Sequence, residues 1–154
     1  MIFHIKTYDS TNLYNIHDTS DLFFNVFKYL PEVKFVYPNV ENWLEKVVIP
    51  DLKTSNRLFS CIYVNGNFAG YTILKKSLKQ NKICTLQVLP KYRRITAGRR
   101  LLEFALDIIP NSIITVSSMV LHNYSSILSE FNFALVNEIQ NIYSENSTEY
   151  IFQH

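Results

Sequence analysis

The chain has 154 residues and carries 15 Lys and Arg against 13 Asp and Glu, so its bulk charge is near neutral and selects no polyanionic partner. At 47% hydrophobic and 14% aromatic it is long and apolar enough to bury a core without a disulfide or a metal, and we read 1–154 as one domain. Met1 to Lys6 turns polar too quickly for a signal peptide, and no apolar run of about 18 residues is available to span a bilayer, which excludes a membrane partner and implies a cytoplasmic protein.

In chain order, Phe3 to Tyr8 reads as a first strand. Ser20-Asp21 is placed to cap a helix with the stripe Leu22, Phe23, Val26, Phe27 and Leu30, ended by Pro31. Asn39 is placed to cap a second helix, Val40 to Val48, which carries the only tryptophan, Trp43, and stops at Pro50. Arg57 to Val64 and Asn67 to Lys75 read as strands joined by Asn65-Gly66, a pair suited to the positive φ of a two-residue hairpin. A polar turn leads to the strand Ile83 to Leu89, closed by Pro90, and the three strands make an antiparallel meander. Past Pro90 the apolar period changes from 2 to 3.6, with Leu101, Ala105 and Ile108 on one stripe and Pro110 as the stop. Ser112 to Ser117 is a β-branched strand, and the helix before it makes a β-α-β unit with parallel strands. A short helix around Tyr124 to Phe131, which His122-Asn123 is placed to cap, and strands at Ala134 to Ile142 and Glu149 to Phe152 complete the order. The expected fold is mixed α/β (α+β), a mostly antiparallel sheet with one central parallel pair, flanked by helices.

Two cysteines, Cys61 and Cys84, lie in separate apolar runs and read as small buried hydrophobes of a reducing compartment. His4, His17, His122 and His154 are scattered, and no metal site is expected. The informative stretch runs from Thr85 to Leu102: a strand, a basic turn and a helix start. The leading N–H groups of a helix lack intrahelical acceptors and suit a phosphate. Gly98 lets backbone approach a ligand, and Arg93, Arg94, Arg99 and Arg100 supply guanidinium donors; a pyrophosphate fits best.

Val88-Leu89-Pro90-Lys91-Tyr92-Arg93, the loop Arg93-Arg94-Ile95-Thr96-Ala97-Gly98 and Leu101-Leu102 resemble the signature of the GNAT superfamily of N-acetyltransferases: V-x-P, a Tyr-Arg pair, the loop Q/R-x-x-G-x-G/A and a helix opening with Leu-Leu. The element order from Arg57 onward resembles it as well. The resemblance implies a central parallel pair splayed around a cofactor groove, acetyl-CoA as co-substrate, and direct attack of an amine on the thioester. It implies backbone contacts to the cofactor arm from Leu86, Gln87 and Val88, an oxyanion role for the Val88 N–H, and a pyrophosphate loop of Arg93, Arg94, Ile95, Thr96, Ala97, Gly98, Arg99 and Arg100.

Two positions depart from the pattern. Thr96 stands at the middle glycine of the loop, and Leu128 stands where many members carry a proton-donating tyrosine. Tyr124 and Ser117, with Tyr143 and His122 nearby, are the acid/base candidates, and for each a purely structural role competes. The aromatics Phe23, Phe24, Phe27, Tyr29, Phe35, Tyr37 and Trp43 read as core, with part of the set placed by the resemblance on the acceptor side. The acceptor stays open among a small molecule, a protein and an aminoacyl-tRNA, and a homodimer is open. A GNAT-fold binding or regulatory protein without catalysis is the alternative, and nucleic-acid binding through the arginine patch is the weakest reading.

Overall fold

Strand β2 (Arg57–Val64) is buried along nearly its whole length, and its side chains feed two cores. Leu58, Ile62 and Val64 point to one face; Phe59 and Cys61 point to the other, as strand alternation requires. A strand buried on both faces needs helices on both sides, and that is the architecture of this computed structural model. It describes residues 1–13 and 16–154, with the backbone alone at 16–21 and 23.

One seven-stranded sheet is formed by β1 (Phe3–Tyr8), β2, β3 (Asn67–Lys75), β4 (Lys82–Val88), β5 (Ile113–Ser117), β6 (Ala134–Gln140) and β7 (Thr148–Gln153), in the order β1-β2-β3-β4-β5-β7-β6. Every neighbouring pair is antiparallel except β4–β5. On one face lie α1 (Ile16–Lys34) and a helical run made of α2 (Val40–Trp43), a π-helical turn Leu44–Val48 and α3 (Ile49–Leu52), packed on Phe59, Phe68, Tyr71 and Ile73. On the other lie α4 (Ala97–Ile108) and α5 (Leu121–Glu130), with Leu101, Leu102, Ala105 and Leu128 over Ile62, Leu74, Ile83 and Leu86. No helix among the described residues is long and apolar enough to cross a membrane.

The hairpin at Asn65-Gly66 has both residues at positive φ, 50° and 80°, as its sequence requires. The helical stops differ from expectation. α1 begins at Ile16, ahead of Ser20-Asp21, and runs through Pro31 to Lys34. A proline inside a helix costs about 3 kcal/mol, and burial of Leu30 and Val33, at about 2 kcal/mol each, offsets it. The second helix passes Pro50 because the turn before it is wound wider: the Ile49 N–H reaches the Leu44 carbonyl, five residues back. Asn39 precedes that helix without a side-chain cap. α5 starts at Leu121, so His122 and Asn123 lie in its first turn and cap nothing. Phe24 and Phe35 are exposed, at 69% and 75%, whereas Phe27, Tyr29, Tyr37 and Trp43 pack on the core.

In β4 the register slips by one residue: Leu74 faces Ile83 but Ile73 faces Thr85, leaving Cys84 as a β-bulge. The bulge flips side-chain parity, so Ile83 and Leu86 share one core although three residues apart. Buried Arg57 holds this point. Its guanidinium donates to Asp51 Oδ2 at 2.9 and 3.2 Å and to Cys84 Sγ at 3.4 Å, and lies over the Trp43 ring.

β3 approaches the far end of β4 closely at Gly70, where an added Cβ would sit 2.3 Å from the Gln87 carbonyl oxygen. That oxygen is backbone and cannot rotate away. Gly70→Ala should therefore lower stability by at least about 2 kcal/mol, a fall in Tm of roughly 4–8 °C, read by thermal unfolding followed by circular dichroism.

Candidate functional site

β4 and β5 are parallel neighbours only at Lys82 opposite Ile113 and Ile83 opposite Ile114. Past the bulge the two strands part. β4 stays paired to β3 and β5 to β7, so a wedge-shaped gap opens between Leu86–Val88 and Thr115–Ser117. Carbonyls of Leu86 and Val88 face the gap: Leu86 O accepts from the Tyr124 hydroxyl at 2.6 Å, and Val88 O accepts from Arg93 Nε at 3.0 Å. In an extended strand the N–H of the same residue points to the same edge. Gln87 alternates with them, and its carbonyl lies against Gly70 of β3. Of the three residues expected to offer backbone to a ligand, Leu86 and Val88 have theirs turned to the gap, with Tyr124 and Arg93 on the carbonyls, and the backbone of Gln87 is taken up by the sheet.

At the wide end of the gap the chain makes a 3-10 turn, Pro90–Tyr92, then turns left-handed at Arg94 (φ 65°) and Thr96 (φ 68°) before entering α4. Thr96 thus holds a left-handed backbone of the kind that favours glycine, at the strain of a β-branched residue in that region. Its carbonyl accepts from Arg100 N at 3.0 Å, and its side chain makes no capping bond. Ahead of Arg100, the N–H groups of Ala97, Gly98 and Arg99 open the helix without acceptors of its own turn. Left-handed residues beside such donors are the conformation in which amides converge on an anion. Ala97 is buried and Ile95 packs on the core, so both offer backbone only.

The four arginines do not form one ring. Arg93 holds Val88 O and faces Glu32 at 4.0 Å. Arg94 is exposed and makes no hydrogen bond or ion pair among the described residues. Arg99 pairs with Glu130 and Glu103 and lies over Phe131; Arg100 lies over Phe3, 4.4 Å from the ring centroid. Successive helix positions turn by 100°, which carries Arg99 toward α5 and Arg100 toward β1. Gly98 is half-buried: its missing Cβ would lie 3.6 Å from Val88 Cγ2 and 3.9 Å from Ile127 Cδ1, between β4 and α5.

Among the acid/base candidates, Tyr124 projects from α5 across the gap, and burial pushes its hydroxyl up to about 12. It sits four residues, one helical turn, before Leu128, which is buried where the resemblance expects a tyrosine. Ser117 is buried at the end of β5, and its Oγ accepts from Met119 N at 3.3 Å. His122 is exposed.

A residue absent from the sequence candidates joins them. Glu149 of β7 stands opposite Ser117 and is fully buried. Tyr37, in the connection between α1 and α2, donates its hydroxyl to Glu149 Oε2 at 3.5 Å, and Oε1 has no partner. Burial raises the carboxyl's pKa, opposed by hydrogen bonds from Tyr37 and Ser117 and by the charge of Lys82. The Tyr37 hydroxyl is itself raised, first by burial and then by Glu149 and Tyr124. Tyr143, from the β6–β7 connection, meets the Tyr37 ring edge-on at 5.6 Å. In sequence Glu149 sits at the start of an expected strand, where a charge reads as an exposed end; its burial follows from the pairing with β5.

Thr96→Gly should relieve the left-handed strain and stabilise the chain by about 0.5–1 kcal/mol after the entropy of the added glycine. Gly98→Ala, with only ordinary contacts to meet, should add about 0.5–1 kcal/mol through helix propensity. Urea midpoints of the two variants measure both.

No protein-family model matches the sequence, and no curated protein matches it. Solved structures do match in three dimensions. A Desulfovibrio desulfuricans protein assigned to the GNAT acetyltransferase family superposes with TM-score 0.70 at 13% identity, covering 99% of this chain and 98% of that one. An aminoglycoside 6'-N-acetyltransferase complexed with coenzyme A gives 0.66 at 11% identity, over 100% and 96% of the two chains. The PaiA N-acetyltransferase of Thermoplasma acidophilum, in complex with coenzyme A, gives 0.65 at 14%, over 99% and 98%. With its bulged fourth strand, its wedge between the parallel pair and these superpositions, the chain has the fold of the GNAT acetyltransferases.

Proposed function

We propose that this chain is an acetyl-CoA-dependent N-acetyltransferase that moves an acetyl group to a primary amine by direct attack on the thioester. The observation that carries the reading is the wedge between β4 and β5, with the edges of Leu86 and Val88 turned into it and the leading amides of α4 at its wide end. Structural neighbours with the same fold were crystallised with coenzyme A.

In this reading the amides of the Arg94–Arg99 turn, with Arg93 and Arg94, hold the pyrophosphate, and Leu86 and Val88 pair with the pantetheine arm. The Val88 N–H polarises the thioester carbonyl as charge develops on its oxygen. Tyr124 gives up Leu86 O to the arm and turns its hydroxyl to the departing sulfur, taking the place of the tyrosine missing at Leu128. Its raised pKa keeps the proton on through neutral pH, so it serves as donor rather than base. Chain 1–154 acts as one domain, and the acceptor is a small molecule, a protein or an aminoacyl-tRNA.

A second reading, a GNAT-fold binding protein without turnover, is favoured by Thr96 and Leu128 alone; it shares the cofactor and lacks thiol release. Direct nucleic-acid binding loses ground because Arg99 and Arg100 are engaged by Glu130, Glu103 and Phe3.

Titration calorimetry with acetyl-CoA should give saturable binding, and Arg94→Ala should weaken it by about 5–10-fold; no heat at millimolar acetyl-CoA overturns the proposal. Tyr124→Phe should lower the rate of thiol release by about 10–100-fold with little change in acetyl-CoA affinity.

A further inference from the structure

The mechanism so far lacks a group that takes the acceptor's proton. Around the gap, the described residues present one buried carboxylate with an unused lone-pair site: Glu149, whose Oε1 has no hydrogen-bond partner. Leaving half of a buried carboxylate unsatisfied is costly, and such a group is explained by what it receives. It stands on β7 opposite Ser117, the residue of β5 that borders the wide end of the wedge. Tyr37 holds the other oxygen, and Tyr143, 47% exposed, stands edge-on to Tyr37. A buried carboxylate with one oxygen unpartnered is a receptor for a cation whose charge and N–H donors it can take up.

We infer that Glu149, held by Tyr37, is the site that binds the acceptor as a primary alkylammonium and takes its proton. The inference rests on the acetyltransferase reading above and names its acceptor end. The ammonium gives one proton to Glu149 Oε1. The nitrogen lone pair then forms the C–N bond to the thioester carbon, and the C–S bond breaks. The sulfur takes a proton from Tyr124, which is replaced by the second proton leaving the nitrogen. Ammonium and thioester thus yield amide, thiol and one proton, which leaves through Glu149 to solvent. Glu149 works only when ionised, so the rate falls as pH drops through its carboxyl. The groups that set that point are Tyr37 from the α1–α2 connection, Ser117 on β5 and Lys82 on β4, with Tyr143 over Tyr37.

The test uses the full chain, Glu149→Gln and Tyr37→Phe, with n-butylamine, spermidine and an unacetylated peptide as amine probes. Acetyl-CoA affinity by calorimetry should stay within twofold in both variants, which also reports that they fold. Thiol release with the best probe should fall about 100-fold or more in Glu149→Gln. Tyr37→Phe removes a hydrogen bond that lowers the carboxyl's pKa, so the acidic limb of the kcat/KM profile should move to higher pH. Glu149→Gln within threefold of the parent overturns the inference. An unmoved acidic limb in Tyr37→Phe does so too, and decides the matter alone should the other variant not fold. A parent chain that binds acetyl-CoA yet acetylates none of the three probes also overturns it and leaves the cofactor reading standing. Failure of the parent to bind acetyl-CoA removes the underlying reading instead.

Discussion

One extra residue in β4 organises the middle of the molecule. Cys84 bulges out just after the last parallel pair, Ile83 with Ile114, and bends the strand away from β5. Without it, the alternation from Ile83 would send Thr85 and Gln87 into the α4–α5 core in place of Leu86 and Val88, and β4 would lie alongside β5 with its edge groups consumed. Arg57 pins the bulge from the opposite face, binding Asp51, Cys84 and the Trp43 ring at once. The helical layer of α2, the π turn and α3 is therefore coupled to the geometry of the gap.

The turn that leads into α4 is the strained counterpart of that gap. Arg94 and Thr96 both sit at positive φ without being glycine, and the side chains between and after them, Ile95 and Ala97, anchor the turn in the core. Burial thus holds a backbone shape that local preference opposes. Polar atoms across the gap are distributed in the same spirit. Tyr124 and Arg93 occupy the Leu86 and Val88 carbonyls, which keeps exposed strand edges from going unpaired. Among the described residues at the end of the gap, Oε1 of the buried Glu149 is left without a partner.

Residues whose structure depends on near neighbours were legible from the chain. Asn65-Gly66 makes its hairpin, Pro90 closes β4, the loop from Arg93 to Gly98 precedes a helix, and the helix between β4 and β5 makes them parallel. In each case the deciding constraint, a positive φ, a fixed proline φ or the handedness of a crossover, acts over a few residues. Prolines misled where tertiary packing outweighed them: Pro31 and Pro50 both sit inside helices, one offset by buried Leu30 and Val33 and the other by a widened turn.

By itself, then, the amino-acid order determined the succession of strands and helices, the parallel pair and the place of the turn that leads into α4, because these follow from local stereochemistry and hydrophobic period. Tertiary structure alone decided the bulge at Cys84, the diversion of Arg99 and Arg100 to α5 and β1, and the burial of Glu149 beneath a tyrosine 112 residues away. Those features arise from contacts between distant segments, whose energies no short window of sequence contains.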